Sequence, residues 1–207
     1  MVRCVLFDLD GVLVEARDWH YHALNKALMN VSGTEISLDE HLTSFNGLPT
    51  AKKLDMLENM GRLKEEHKDR IWKLKQDFTI ETIKEMGHVD DEKVSMMSYL
   101  KERQIKIACV TNSIRKTASL MLEVTGQLEF VDLLVSNEDV KKPKPDPEGY
   151  VNALNVFGCL PHNALIVEDS EYGLEAASKT GARIMKVSCA EDVTKDAVKR
   201  CLEKYEF

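Results

Sequence analysis

The sequence predicts an α/β fold, a parallel sheet core flanked by helices with a small helical insertion, and three observations carry that reading. From about residue 88 onward, short apolar runs alternate with stretches of helical length, the pattern of parallel strands joined by crossover helices. Between residue 14 and about residue 87 the periodicity is helical nearly throughout, and no convincing strand appears. The chain opens on VLFDLDGVL, whose apolar run reads as a strand without a βα partner nearby, so it joins the later sheet and the helical block lies between them.

Taken in order, the first strand covers residues 2–7. In the helical block Trp19, His22, Ala23, Lys26 and Ala27 run along a first helix, and Leu54, Leu57 and Met60 recur at three-residue steps. A helix near residues 91–103 leads to the run IKIACV, a helix from Arg115, the run VDLLVS, a helix after Pro147, the run ALIV, a helix after Ser170 and the run RIMKV. Local punctuation agrees: Asp146 before Pro147 reads as an N-cap with proline at the first helical position, Ser113 as the cap of the helix that follows it, and Ser170 precedes a helix that stops at Gly181. The expected organisation is a Rossmann-like core of residues 1–14 and 88–207 with a helical domain of residues 15–87.

At 207 residues the chain is expected to bury roughly 70% of its unfolded surface without covalent staples. Its five cysteines are odd in number and form no C-x-x-C pair, which reads as reduced core thiols of a cytosolic protein. The net charge of -7 is spread along the chain, without basic runs or stacked aromatics, which argues against a nucleic-acid or anionic-membrane surface. The N-terminus has one basic residue and then a short apolar run broken by Asp8, so neither a signal peptide nor a membrane span is expected. The expectation is a cytoplasmic monomer or weak homo-oligomer.

Ligands of open α/β sheets bind beyond the carboxyl ends of the strands, so the residues that follow each apolar run matter most. VLF ends in Asp8, Leu9, Asp10 and Gly11; IACV ends in Thr111, Asn112 and Ser113; ALIV ends in Glu168, Asp169 and Ser170; and Lys142 lies in KKPKPDP after VDLLVS. Asp8 and Asp10 are two apart on an extended segment and point the same way, unless the turn at Gly11 splays them, and two like charges held close call for a cation. Acids for Mg²⁺, an ammonium for phosphate oxygens, and hydroxyl and amide donors fit phosphoryl transfer better than other chemistries. An aspartate is also a competent nucleophile.

In FDLDGVL, TNS, KPKPD and VEDS, in that order and approximate spacing, the chain resembles the haloacid dehalogenase superfamily, in its phosphatase and phosphomutase branch with a helical cap inserted after the first motif. The resemblance implies that Asp8 is the nucleophile and that Asp10 protonates the leaving alkoxide and then activates water. It implies that Thr111 and Asn112 bind the phosphoryl group. It makes Lys142 the lysine that holds nucleophile and phosphate together, since the family pattern puts lysine immediately before the first proline of KPxPD; Lys144 is the alternative. Asp8, the Asp10 main-chain carbonyl and Asp169 would bind Mg²⁺, with Glu168 as a further candidate acting through a water. From the cap, His20 and Lys52 are the candidate substrate contacts.

The function this implies is Mg²⁺-dependent hydrolysis of a small phosphorylated metabolite, a sugar, polyol or similar monoester, through an aspartyl-phosphate. The alternative is a phosphomutase of the β-phosphoglucomutase type. The segment from Asp8 to His20 keeps the length seen there, but Ala16 stands where a threonine is expected and GLPTAKK lacks the expected arginine. Asp10 argues against a dehalogenase, whose halide leaving group needs no general acid. A catalytically silent binding protein on the same fold is the remaining class.

Overall fold

The structure, a computed structural model, describes residues 1–45 and 48–205, so Gly47 of the GLPTAKK stretch lies outside the described residues. The chain starts with β1 (Cys4–Phe7) and then forms the helices α1 (Arg17–Ser32), α2 (Leu38–Leu42), α3 (Thr50–Asn59) and α4 (Lys68–Met86). It continues through α5 (Asp91–Glu102), β2 (Lys106–Val110), α6 (Arg115–Val124), β3 (Leu133–Val135) and α7 (Glu148–Phe157). The last elements are β4 (Ala164–Glu168), α8 (Glu171–Ser178), β5 (Arg183–Lys186) and α9 (Lys195–Glu203). These divide into two compact units, Met1–Glu15 with His88–Phe207 and Ala16–Gly87. Among the described residues no helix is long and apolar enough to cross a membrane.

In the first unit the five strands form one parallel sheet in the order β3-β2-β1-β4-β5. β1 sits in the middle because all four of its residues are buried, which suits a strand covered on both faces; β3 and β5 are only partly buried and take the edges. Leu6, Val110 and Ile166 from the sheet pack with Tyr150, Ala153 and Leu154 from α7, and each such fully buried large side chain contributes about 2 kcal/mol. Phe7 is in register with Cys109 on one side and Val167 on the other, so β2 and β4 each run one residue past the end of β1. The order reverses at β1, whose neighbours β2 and β4 lie on opposite sides. That is the switch point at which such sheets bind ligands.

Of the three expected caps, Ser170 caps its helix, whereas Pro147, expected at the first helical position, stands at the N-cap position of α7 and Asp146 one residue before it. Ser170 accepts from Gly173 N at 3.1 Å, and Asp146 Oδ1 accepts from Glu148 N at 3.0 Å. Ser113 is different: α6 starts behind Ile114 with no side-chain cap, and the Ser113 hydroxyl is used elsewhere.

The second unit is built on α1 and α4 with α2 and α3. Leu24, Ala27, Leu28, Ile36, Phe45, Leu54, Leu57, Leu63 and Ile71 form its core. Met60, expected to continue the row of Leu54 and Leu57, is 53% exposed because α3 ends at Asn59 and the chain turns at Gly61, where φ is +70°. His22 is likewise exposed on α1. α1 stops at Gly33 in the left-handed conformation, where the glycine N–H returns to the Met29 carbonyl.

This unit buries a histidine as a neutral group. His41 is 4% exposed; its Nε2 lies 3.1 Å from the Arg17 carbonyl, which selects the Nε2–H tautomer, and its buried Nδ1 has no hydrogen-bond partner among the described residues. Burial, with Lys53 and then His20 adding repulsion against the Arg17 carbonyl and Asp18, depresses its pKa to about 4. The unfolded chain therefore takes up the proton first, near pH 6.5, and stability present at neutral pH is lost as pH falls from about 6.5 towards 4. Both tryptophans, Trp19 and Trp72, lie in this unit, so their fluorescence follows its unfolding. In urea titrations so monitored, the wild type is expected to lose about 1–2 kcal/mol more than His41→Gln between pH 7 and pH 5; equal losses would rule out His41 as the source.

Candidate active site

Asp8 follows β1 directly, its N–H bonded to the Val167 carbonyl of β4 at 3.0 Å, and Thr111 follows β2, its N–H bonded to Val135 of β3 at 2.9 Å. Glu168 is the last residue of β4. The sheet therefore delivers these side chains to one edge, and all three are buried.

The lysine in this group is Lys144, not Lys142. Lys144 Nζ lies 2.7 Å from Asp8 Oδ1 and 2.6 Å from Glu168 Oε1, and its side chain is 7% exposed. Lys142 is exposed, and the backbone N–H groups of Lys141 and Lys142 are tied to the two Glu148 carboxylate oxygens at 2.9 and 3.0 Å. Asn112 fixes the loop a step further on: its Oδ1 accepts from Lys144 N at 3.1 Å and its Nδ2 donates to Lys144 O at 3.3 Å. The reason for the shift is in the sequence. KPKPDP contains K-P-x-P twice, offset by two residues, and the anchors at Glu148 and Asn112 select the second copy.

Asn112, expected to bind phosphate, thus has its amide on the Lys144 backbone. Thr111 keeps its place: its hydroxyl oxygen accepts from Ser113 N at 3.0 Å, which leaves its own proton to give. Ser113, expected to be a cap, instead donates from Oγ to Asp10 Oδ2 at 2.9 Å. Asp10 is so oriented from a neighbouring strand end, a contact with no local sequence signal.

Glu168 has both carboxylate oxygens occupied. Oε1 takes Lys144 and the Tyr150 hydroxyl, the latter at 2.5 Å; Oε2 takes Asp169 N at 3.1 Å, Ser170 N at 3.4 Å and Ser170 Oγ at 3.3 Å. Two glycines make room. A Cβ on Gly173 would fall 1.9 Å from Glu168 Oε1, and one on Gly11, where φ is +83°, would fall 2.2 Å from Asp169 Oδ2. Tyr150 and these close approaches are functional features that composition and spacing did not single out.

The electrostatics are strained in one direction. Burial, and then the Glu168 carboxylate, push the Asp8 carboxyl well above its ordinary value; Lys144 pulls it back, while Asp10 and Asp169 add to the rise. Burial opposes the charge on Lys144, but Asp8 and Glu168 outweigh it and hold the ammonium above the usual lysine range. Burial and the same carboxylates push the Tyr150 phenol up, so it stays a donor. One oxygen each from Asp8, Glu168 and Asp169 lies within 4.8 Å of the others. A hard divalent cation suits such an all-oxygen donor set. Glu168, one of the three, already accepts from Lys144, Tyr150 and main-chain donors.

His20 and Lys52 belong to the helical unit. His20 Nδ1 lies 3.2 Å from Lys75 Nζ, a buried lysine of α4; Lys52 is exposed on α3.

Comparison with known proteins agrees with this arrangement. Residues 5–187 match the family model described as haloacid dehalogenase-like hydrolase. A phosphorylated carbohydrates phosphatase of Thermotoga maritima is 28% identical over 183 residues, covering 87% of this chain and 82% of that protein. The pyrophosphatase PpaX of Bacillus velezensis is 27% identical over 187 residues, covering 90% and 83%. Among solved structures, a β-phosphoglucomutase from Clostridium difficile superposes with a TM-score of 0.82 at 22% identity, covering 99% of each chain, a likeness of fold. With a family match running from β1 to just beyond β5, this chain belongs to the haloacid dehalogenase-like hydrolases.

Proposed function

We propose that the chain is a Mg²⁺-dependent phosphatase that hydrolyses a small phosphate monoester through an aspartyl-phosphate on Asp8. The observation that carries this reading is the buried Lys144 ammonium 2.7 Å from Asp8 Oδ1 at the end of the central strand. Two of its three N–H groups serve Asp8 and Glu168; the third is left for an anionic oxygen of the incoming group. The phosphatase names carried by sequence relatives support hydrolysis.

In the first half-reaction an Asp8 carboxylate oxygen attacks phosphorus, the P–O bond to the substrate oxygen breaks, and Asp10 gives that leaving oxygen its proton. In the second, Asp10 takes a proton from water, the water oxygen attacks phosphorus, and the P–Oδ bond to Asp8 breaks to release phosphate. Thr111 donates its hydroxyl proton to a phosphoryl oxygen, and Lys144 stays with the charge that builds on the transferring group. Mg²⁺, when held by Asp8 and Asp169, neutralises phosphoryl charge. Ser113 keeps Asp10 turned for both proton transfers.

The deciding experiment is phosphate release from p-nitrophenyl phosphate and from a panel of sugar, polyol, nucleotide and glycolate phosphates, with Mg²⁺ and after chelation with EDTA. Activity is expected with Mg²⁺ and is expected to be lost on chelation; a panel that stays negative with Mg²⁺ ends the phosphatase reading. Recovery of an isomeric sugar phosphate in place of free phosphate would assign the chain to mutase chemistry. Asp8→Asn is expected to lower kcat by about 10⁴-fold or more.

The two lysines separate cleanly. Lys144→Ala should lower kcat/KM by about 10²–10³-fold, the scale of losing a charged donor from a developing anion. Lys142→Ala, a surface change, should stay within about twofold of wild type; the reverse order would return the role to Lys142. Asp10→Asn should cost about 10²–10⁴-fold on alkyl phosphates. It should cost much less on p-nitrophenyl phosphate, whose leaving phenolate needs little protonation, and equal losses on both would remove Asp10 as the general acid.

A further inference from the structure

The buried Tyr150 touches the lysine of the site and that lysine's partner Glu168, and has no part in the reaction steps. Its ring lies beneath the ammonium, with Lys144 Nζ 4.8 Å from the centroid. Its hydroxyl reaches Glu168 Oε1, the same oxygen that accepts from Lys144. Tyr150 is anchored by α7, fully buried among Leu6, Val110 and Ile166. Glu168 is closed in from the other side by its bonds to Asp169 N and Ser170, and by Gly173, whose lack of a Cβ alone lets the carboxylate lie there.

A free carboxylate at a strand end has several rotamers and would follow whichever cation came nearest. Here a phenol on one side of Oε1 and three donors on Oε2 leave Glu168 one orientation, and in that orientation Oε1 faces Lys144. The ammonium is then fixed from two directions before any substrate arrives, so it need not reorganise when charge builds on the transferring phosphoryl group.

We infer that Tyr150 is a positioning residue for phosphoryl transfer, acting through Glu168 to hold the Lys144 ammonium against Asp8, and that Glu168 serves this lock and not the metal. The inference rests on the phosphatase reading. It makes the Tyr150 hydroxyl matter in the transition state, where the lysine meets the charge that builds on the transferring group, and matter little for binding phosphate or Mg²⁺ in the ground state.

The test is Tyr150→Phe, which keeps the ring and its packing and removes one oxygen, with circular dichroism and thermal melting to confirm that the variant is folded. The loss of a hydrogen bond to a charged group predicts a fall of about tenfold in kcat and equally in kcat/KM, with KM unchanged. Orthovanadate, which takes the geometry of the transferring phosphoryl group, should inhibit the variant more weakly by the same factor, while inhibition by inorganic phosphate stays within about twofold. Calorimetric titration should give the same Mg²⁺ affinity for both proteins. An active wild type with an equally active Tyr150→Phe overturns the inference alone. So does a loss of activity matched by equal weakening of phosphate and Mg²⁺ binding, because that marks a role in general site integrity or at the metal. A wild type inactive on every phosphate ester ends the phosphatase reading and, with it, this one.

Discussion

The constraint on which the site depends is a single ammonium held out of water between two carboxylates. Lys144 could not stay charged at 7% exposure without them, and Asp8 and Glu168 could not sit at adjacent strand ends, buried, without it. Removing Lys144 leaves two buried carboxylates uncompensated, so the pair depends on the ammonium. The surroundings read as devices that keep this unit in place: Asn112 grips the Lys144 peptide, Tyr150 and the Asp169 and Ser170 donors fix Glu168, and Gly173 leaves the space.

The parallel sheet explains why such a unit can be assembled from distant parts of the chain. Phe7 is level with both Cys109 and Val167, so the ends of β1, β2 and β4 lie within one residue of one another however long the connections between them. The central strand is apolar and buried throughout, and the polar residues of the site stand at or just past the strand ends. The fold thus separates its tasks along each strand: burial drives the association, and the tip carries the chemistry.

That separation is also why so much was legible in the sequence. Apolar runs followed abruptly by Asp8, by Thr111 and by Glu168 announce the strand tips, and the alternation of runs and helices announces the sheet. What stayed hidden depends on distance or register. The overlapping K-P-x-P copies put lysines at 142 and 144, and the choice between them is made by Glu148 and Asn112, whose partners no local pattern reveals. Ser113 looks like a helix cap because serine before a helix usually is one, yet Asp10, far away in sequence, offers its hydroxyl a charged partner. Tyr150 is readable as core, but its hydroxyl needs the end of β4 to give it meaning. Met60 fails for a simpler reason, since a three-residue step means burial only while the helix lasts.

The charge balance carries the argument one step further. Asp8, Asp10, Glu168 and Asp169 gather at this end of the sheet, and Lys144 pairs directly with two of them, Asp8 and Glu168. Glu168 accepts from Lys144, Tyr150 and main-chain N–H groups, and Lys144 is shared between it and Asp8. A phosphate ester brings more negative charge, and at contact distances in a partly buried site each unbalanced pair costs on the order of several kcal/mol. Burial first and Glu168 next raise the Asp8 pKa, with Asp10 and Asp169 adding less, and a protonated Asp8 is no nucleophile. Binding an anionic substrate and keeping the nucleophile ionised therefore make the same demand, which is positive charge beside Asp8 and Asp169 in addition to the lysine. A divalent cation held by Asp8 and Asp169 would meet both demands at once, and Gly11, whose missing Cβ leaves the space that the Asp169 carboxylate occupies, permits that placement.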